Sequence, residues 1–130
     1  MMRVAGPVAA IAAMMSQAAY GDEVRHTKFS SALVGTWATT AESCKPDDKL
    51  AIVISEAAYS DSTGNCTVRW IVETAGAKGP NYAVHASCAD PSQPAKTIEA
   101  NMVIRPQSSD RISIGPGFDS LKTYQRCPPR

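Results

Sequence analysis

The strongest constraint on the fold is a period-two alternation of apolar residues within short segments. In the segment 66–74, one set of alternate positions is apolar, namely Cys66, Val68, Trp70 and Val72. Successive side chains of a β-strand point to opposite faces, so this pattern predicts a half-buried strand. The same alternation recurs in the segments 50–55, 82–88, 97–105 and 111–114. No segment after residue 21 shows a sustained helical period, which favours an all-β fold.

Turn-forming residues separate the apolar segments at short intervals. Clusters of Gly, Pro, Asn, Asp and Ser, such as those in 76–81 and 115–117, are typical of connections between strands. We therefore predict strands at 34–39, 50–55, 57–60, 66–74, 82–88, 97–105, 111–114 and 121–126. Strands with mainly short connections indicate a small antiparallel barrel or sandwich of seven or eight strands.

The N-terminal 21 residues are typical of a secretory signal peptide. Arg3 precedes a stretch of 12 uncharged residues at 4–15, and small residues follow it. Cleavage after Ala18 and cleavage after Gly21 both fit, and we prefer Gly21 because a polar chain then follows. The sequence thus predicts a signal peptide at 1–21, a flexible lead-in at 22–32 and a single β domain at 33–130 of a periplasmic or secreted protein.

The charge balance narrows the classes of partner. The 130 residues carry a formal net charge of +1, and removal of 1–21 with Arg3 leaves 12 basic against 12 acidic residues. A neutral chain has no excess cationic charge with which to attract nucleic acid or an acidic membrane surface. No apolar run reaches the roughly 18 residues of a membrane-spanning helix. We therefore expect neither nucleic-acid binding nor a membrane span.

The four cysteines predict two disulfides. Their number is even and the chain is small and exported, whereas the absence of a C-x-x-C pair counts against a zinc or redox motif. Antiparallel pairing of 66–74 with 82–88 would place Cys66 and Cys88 on one face near the same end. We favour Cys66–Cys88 and, by elimination, Cys44–Cys127, although spacing alone leaves all three pairings open.

The residues Gly35-Thr36-Trp37 form a G-x-W motif. It resembles the opening of several eight-stranded barrels: lipocalins, avidins and the periplasmic inhibitors of bacterial metalloproteases. The inhibitor family is similar to this chain in size, in its signal peptide and in a cysteine soon after the motif, here Cys44. It differs in having cysteines for only one disulfide, whereas this chain has four cysteines. The layout as a whole, up to Tyr124-Gln125-Arg126-Cys127, also resembles small exported proteobacterial proteins of uncharacterised function.

The resemblance implies particular roles for several residues. Gly35 would let the first strand bend, and Trp37 would plug one end of the barrel. Independently of the resemblance, the small interior of an eight-stranded barrel predicts that Trp37 and Trp70 fill it, whereas in a carrier they would line a pocket. By the same resemblance, the inhibitory N-terminal segment of the metalloprotease inhibitors would correspond loosely to residues 22–32.

Catalytic and metal-binding patterns are weak in this sequence. The histidines are His26 and His85, and His85 falls on the polar face of its strand, which indicates a solvated surface imidazole in place of a metal ligand or general base. No nucleophile-elbow or calcium-loop motif occurs. The sequence indicates no catalytic residue, metal site or cofactor, and it does not indicate an oligomeric state.

These observations favour an exported, non-enzymatic binding module. A proteinaceous inhibitor of a hydrolase in the cell envelope is one such function, with an envelope or host protein as its partner. The alternatives are a lipocalin-like carrier of a small apolar ligand, which needs a cavity behind Trp37 and Trp70, and a structural envelope protein.

Overall fold

The computed structural model describes residues 23–45 and 49–129. The signal peptide predicted at 1–21 lies outside these residues. The described part contains two short 3-10 helices, Ser31–Leu33 and Glu42–Cys44. Its nine strands are β1 Glu23–His26, β2 Gly35–Ala38, β3 Ile52–Ile54, β4 Ala58–Asp61, β5 Gly64–Gly76, β6 Gly79–Ala89, β7 Thr97–Ser108, β8 Arg111–Gly115 and β9 Lys122–Arg126.

The strands β2 to β9 form a closed antiparallel barrel. Each strand pairs with the next one along the chain, and β9 returns to pair with β2. Closure removes the unpaired edges that an open sheet would expose. The predicted all-β fold with about eight antiparallel strands is therefore confirmed, and β1 is an additional strand outside the barrel order.

The lead-in predicted at 22–32 is structured in its described part, which corrects that prediction. Strand β1 pairs with residues 71–74 of β5, beyond the point where β4 ends. Phe29 is only 5% exposed, and its ring meets that of Tyr59 edge-to-face at 6.5 Å. The backbone N–H of Phe29 also donates to the carbonyl of Glu56 at 2.8 Å. The polar lead-in is thus ordered by two features, the pairing of β1 with the edge of β5 and the burial of the Phe29 ring.

The core lies inside the barrel and is built by the alternating apolar residues. In β6, the residues Tyr82, Val84, Ala86 and Cys88 are all buried, as the alternation predicts. In β7 the pattern holds at Met102 and Ile104 but not at Ile98, which is 48% exposed near the end of the strand. The largest fully buried side chains are Trp37, Ile54, Ile71, Ile104, Ile112 and Val84.

Both predicted disulfides are present. Cys66 lies directly opposite Cys88 in the β5–β6 pairing, and the two are bonded. Cys44 is bonded to Cys127, which joins the segment after β2 to the residue that follows β9. Within the described ranges, no helix has the length and apolar character needed to cross a membrane.

Candidate binding surface on the outer face of the barrel

Trp37 is held inside the barrel by an arginine. Its side chain is fully buried, and its indole N–H donates to the carbonyl of Leu33 at 2.9 Å. The guanidinium carbon of Arg126 lies 4.3 Å from the centre of the Trp37 ring. Arg126 also donates to the carbonyls of Val34 at 2.9 Å, Ala32 at 2.5 Å and Ser109 at 3.2 Å. Trp37 is therefore a core residue, and Arg126 ties three backbone segments around it.

Gly35 provides the space for this arginine. Its backbone φ is +145°, a conformation that favours glycine, and a Cβ atom there would lie 2.7 Å from Nη1 of Arg126. The glycine of the G-x-W motif thus serves the close approach of a guanidinium group as well as the backbone conformation of the first barrel strand.

We expect Gly35→Ala to lower the free energy of unfolding by about 2 kcal/mol or more, because it adds both backbone strain and a clash with Arg126. Urea denaturation would measure the loss. Gly64→Ala is a matched control, because Gly64 has a φ of +139° but no atom within 4 Å of the position that an added methyl carbon would occupy. Equal losses in the two variants would contradict a specific role for the Arg126 contact.

A cluster of buried side chains forms the core of the barrel, and three grooves lie outside it. One groove of about 710 Å³ runs over the outer side of β2 to β4, where it is lined by Thr36, Val53 and Ser60 among others. Two further grooves lie beside the β5–β6 turn and beside the C-terminal residues. No member of the core cluster lines any of these three grooves. The described cavities are therefore external.

Trp70 does not lie inside the barrel, which corrects the sequence prediction. A β-bulge interrupts the β5–β6 register between Val68 and Trp70. Beyond the bulge, Ile71 faces the core and is 1% exposed, whereas Trp70 lies opposite His85 on the outer face. One extra residue in a strand reverses the direction of every following side chain. Val72, also predicted to face inward, faces outward for the same reason.

Trp70 is the centre of a cluster of aromatic and cationic side chains. Its ring stacks on His85 with centroids 4.7 Å apart and an interplanar angle of 26°. The guanidinium carbons of Arg25 and Arg69 lie 5.2 Å and 5.9 Å from the ring centre. These distances are typical of cation–π contacts. We name Arg25, Arg69, Trp70 and His85 the Trp70 platform.

The two arginines of the platform differ in their charge environment. Arg69 forms a salt bridge with Glu99, with Nη1 and Oε1 3.0 Å apart. Arg25 has no carboxylate within salt-bridge distance among the residues that the structure describes. Both arginines are exposed, while Trp70 and His85 are half-buried. The platform therefore presents one guanidinium that no described carboxylate neutralises, beside an accessible aromatic surface.

The sequence placed two members of this cluster correctly, Arg69 and His85, both on the polar faces of their strands. It assigned His85 to the polar face, and the structure confirms this position. Arg25 was missed because β1 is short and polar, with no apolar alternation to reveal a strand. The adjacent Arg69 and Trp70 carry a weak signal, since a run of Arg, Trp and Ile breaks strict alternation and is compatible with a bulge.

The titratable groups with perturbed pKa values are structural. Burial raises the pKa of Tyr82 above its ordinary value and the nearby charge of Glu73 adds to this, while a hydrogen bond with Ser30 acts in the opposite direction. Burial, and secondarily the charge of Asp61, raises the pKa of Tyr59 and of Tyr124. All three pKa values are raised and therefore lie further above physiological pH, so the three hydroxyls stay protonated there.

The pKa of one carboxyl group, that of Asp90, is lowered by hydrogen bonds within a turn. The backbone N–H and the hydroxyl of Ser92 donate to Asp90 at 2.9 Å and 2.8 Å, and these bonds lower the pKa of the Asp90 carboxyl. An aspartate that accepts bonds from the residue two positions ahead is a common turn feature. Asp90 therefore shapes the β6–β7 connection.

Comparison of the chain with protein-family models, with curated proteins and with solved structures finds no match. Over the described residues, no group of three or more His, Cys, Asp or Glu side chains is placed to hold a metal ion. A functional site must therefore be inferred from the geometry of the chain itself, and the Trp70 platform is its most distinctive outward-facing feature.

Proposed function

We propose that the protein is an exported binding module that recognises an envelope or host protein through the Trp70 platform. The observation that carries this proposal is the outward position of Trp70, stacked on His85 and flanked by Arg25 and Arg69. Tryptophan and arginine are the residues most enriched where protein interfaces concentrate their binding energy. Two disulfides suit an oxidising compartment, which supports a periplasmic or secreted location.

The rigidity of the scaffold supports recognition by a preformed surface. Trp70, His85 and Arg69 belong to adjacent strands of a closed barrel, and Cys66–Cys88 bridges the same two strands. Side chains that are already ordered lose little conformational entropy on binding. Inhibition of a hydrolase would then follow from occupation of the enzyme's surface by the platform. The lead-in is less suited to this role, because Phe29 belongs to the core.

The carrier alternative has less support from the packing of the protein. A carrier of a small apolar ligand needs an apolar cavity of a few hundred Å³. The core cluster occupies the barrel interior, and the three described grooves are external. The outward position of Trp70 also removes one of the two residues that would line such a pocket.

We expect Trp70→Ala to abolish the capture of a specific partner by the immobilised mature protein. Truncation of a central interface tryptophan costs at least about 2 kcal/mol, which is a factor of about 30 in affinity. The measurement is affinity capture from periplasmic extract and from host fluid, followed by identification of the bound proteins and titration of each purified one.

Phe118→Ala is the matched control for this experiment. Phe118 is 43% exposed and lies under the guanidinium group of Arg105, with 5.0 Å between the guanidinium carbon and the ring centre. Phe118 thus forms the same kind of arginine–aromatic contact at a surface outside the Trp70 platform. The same proteins captured by the wild type and by Trp70→Ala would refute the proposal, as would the absence of any saturable partner.

A further inference from the structure

We infer that the Trp70 platform recognises a carboxylate in an acidic, extended segment of its protein partner. This inference rests on the proposed function and adds the chemistry of the partner. Arg25 would bind the carboxylate, and Trp70 with its apolar neighbours would receive an apolar side chain of the same segment.

The N–H donors of Arg25 determine which chemical group the platform can bind. The Arg25 guanidinium lies 5.2 Å from the centre of the Trp70 ring and forms no salt bridge with a described residue, so its N–H groups are available as donors. Two parallel N–H groups match the two oxygens of a carboxylate, and this bidentate geometry is the strongest form of the charged hydrogen bond. Arg69 is already paired with Glu99, whereas no described carboxylate neutralises Arg25. Arg25 is therefore the cation of the platform that is available to bind a carboxylate.

An apolar surface lies beside this cation. In the sheet register, Arg25 lies opposite Val72 and Val72 lies opposite Ala83, so these residues form one row on the outer face. Val72 and Ala83 are half-buried and lie two positions from Trp70 and His85 along their strands. Two residues of a strand span about 6.6 Å, which is also the spacing of same-side residues in an extended peptide. The surface fits an acidic and an apolar residue two positions apart.

The charges around the platform favour a single carboxylate over a polyanion. Glu99 lies beside Arg69 at the edge of the platform and would repel a dense row of negative charges. Nucleic acids and sulfated chains need excess basic charge, and the chain after residue 21 carries equal numbers of basic and acidic residues. A single carboxylate with an apolar neighbour meets one free guanidinium and one indole.

The test uses two acetylated and amidated pentapeptides, Glu-Ser-Phe-Ser-Glu and its neutral counterpart Gln-Ser-Phe-Ser-Gln. The mature ¹⁵N-labelled protein has two indole N–H signals, from Trp37 and Trp70. We expect the acidic peptide to shift the Trp70 signal saturably and the neutral peptide to bind about tenfold more weakly, because it lacks the charged hydrogen bonds. The Trp37 signal should not move, because that side chain is fully buried.

Arg25→Gln should weaken the binding of the acidic peptide by about tenfold and leave the binding of the neutral peptide unchanged. Arg111→Gln removes another exposed arginine, from β8, and should change neither titration. Equal binding of the two peptides, or an unchanged titration in Arg25→Gln, would overturn the inference. No saturable shift up to about 10 mM of either peptide would also overturn it. Saturable binding of an oligogalacturonate in place of the acidic peptide would assign the platform to acidic polysaccharides.

The outcomes of the two experiments are distinguishable. If partner capture depends on Trp70 but survives Arg25→Gln, the proposed function stands and the carboxylate inference fails. If capture does not depend on Trp70, the proposed function itself fails, whatever the peptides do.

Discussion

Trp37→Ala is expected to lower the free energy of unfolding by about 4 kcal/mol, within the range for deletion of a large buried aromatic side chain. Trp37 is 0% exposed and belongs to the core cluster. The substitution leaves a cavity that a closed barrel cannot collapse into easily, because the strands on all sides are paired. It also removes the aromatic face on which the Arg126 guanidinium rests.

The loss of that face affects more than one strand. Arg126 holds the carbonyls of Ala32 and Val34 from the segment before β2, and that of Ser109 from the β7–β8 turn. A guanidinium with a cavity beneath it is less well ordered, so these three contacts should weaken together. We therefore expect the effect of Trp37→Ala to spread to amide exchange in the segment 32–34 and in the turn around Ser109.

Urea denaturation of the mature protein measures the loss, with Trp70→Ala as the control. Both variants remove an indole from the same barrel, but Trp70 lies half-exposed on the outer face. Substitutions at such surfaces usually change stability by less than about 1 kcal/mol. A similar loss in the two variants would contradict the assignment of Trp37 as the central core residue.

The eight barrel strands were predictable because the alternation of apolar residues is a local signal that an antiparallel meander preserves. Tyr82, Val84 and Ala86 follow the rule directly, since each lies inside with no irregularity before it. The preferred disulfides followed from the same reasoning. Cys66 precedes the bulge in β5, so its predicted direction was unaffected by the later change of register.

The candidate site was not predictable in the same way. The orientation of Trp70 depends on a single inserted residue, and the apolar pattern of β5 reads equally well with or without it. Arg25 reaches the platform only because β1 pairs with the free edge of β5. That pairing is made by backbone hydrogen bonds, which carry little side-chain signature. The surface thus arises from two long-range features, a bulge and an edge pairing.

The C44A/C127A variant, without the Cys44–Cys127 bridge, is expected to lose about 4.5 kcal/mol of unfolding free energy. The C66A/C88A variant should lose about 3.4 kcal/mol. These values follow from the chain entropy of loops closed across 83 and 22 residues. A typical domain has only about 5 to 15 kcal/mol of net stability, so either loss is large. Urea denaturation of the two double variants tests which of them loses more unfolding free energy.

The position of the two bridges in the barrel gives the same order independently. The seam between β2 and β9 consists of two residue pairs, Trp37 with Arg126 and Ala38 with Gln125. Cys127 follows directly, and its N–H donates to the carbonyl of Thr36 at 2.8 Å. The β5–β6 ladder, in contrast, continues from Cys66–Cys88 to the turn at Gly76–Gly79, so we expect it to remain paired without its bridge.

Loss of Cys44–Cys127 should therefore open the barrel at its seam before the rest unfolds. Amide exchange in β2 and β9 should accelerate in C44A/C127A by a larger factor than exchange in β5 and β6. In C66A/C88A, exchange should instead rise by a similar factor throughout the barrel, because the long ladder opens only with global unfolding. A greater loss of stability in C66A/C88A, or protection at the seam equal to that of the ladder in C44A/C127A, would show that β2 and β9 close the barrel without the disulfide.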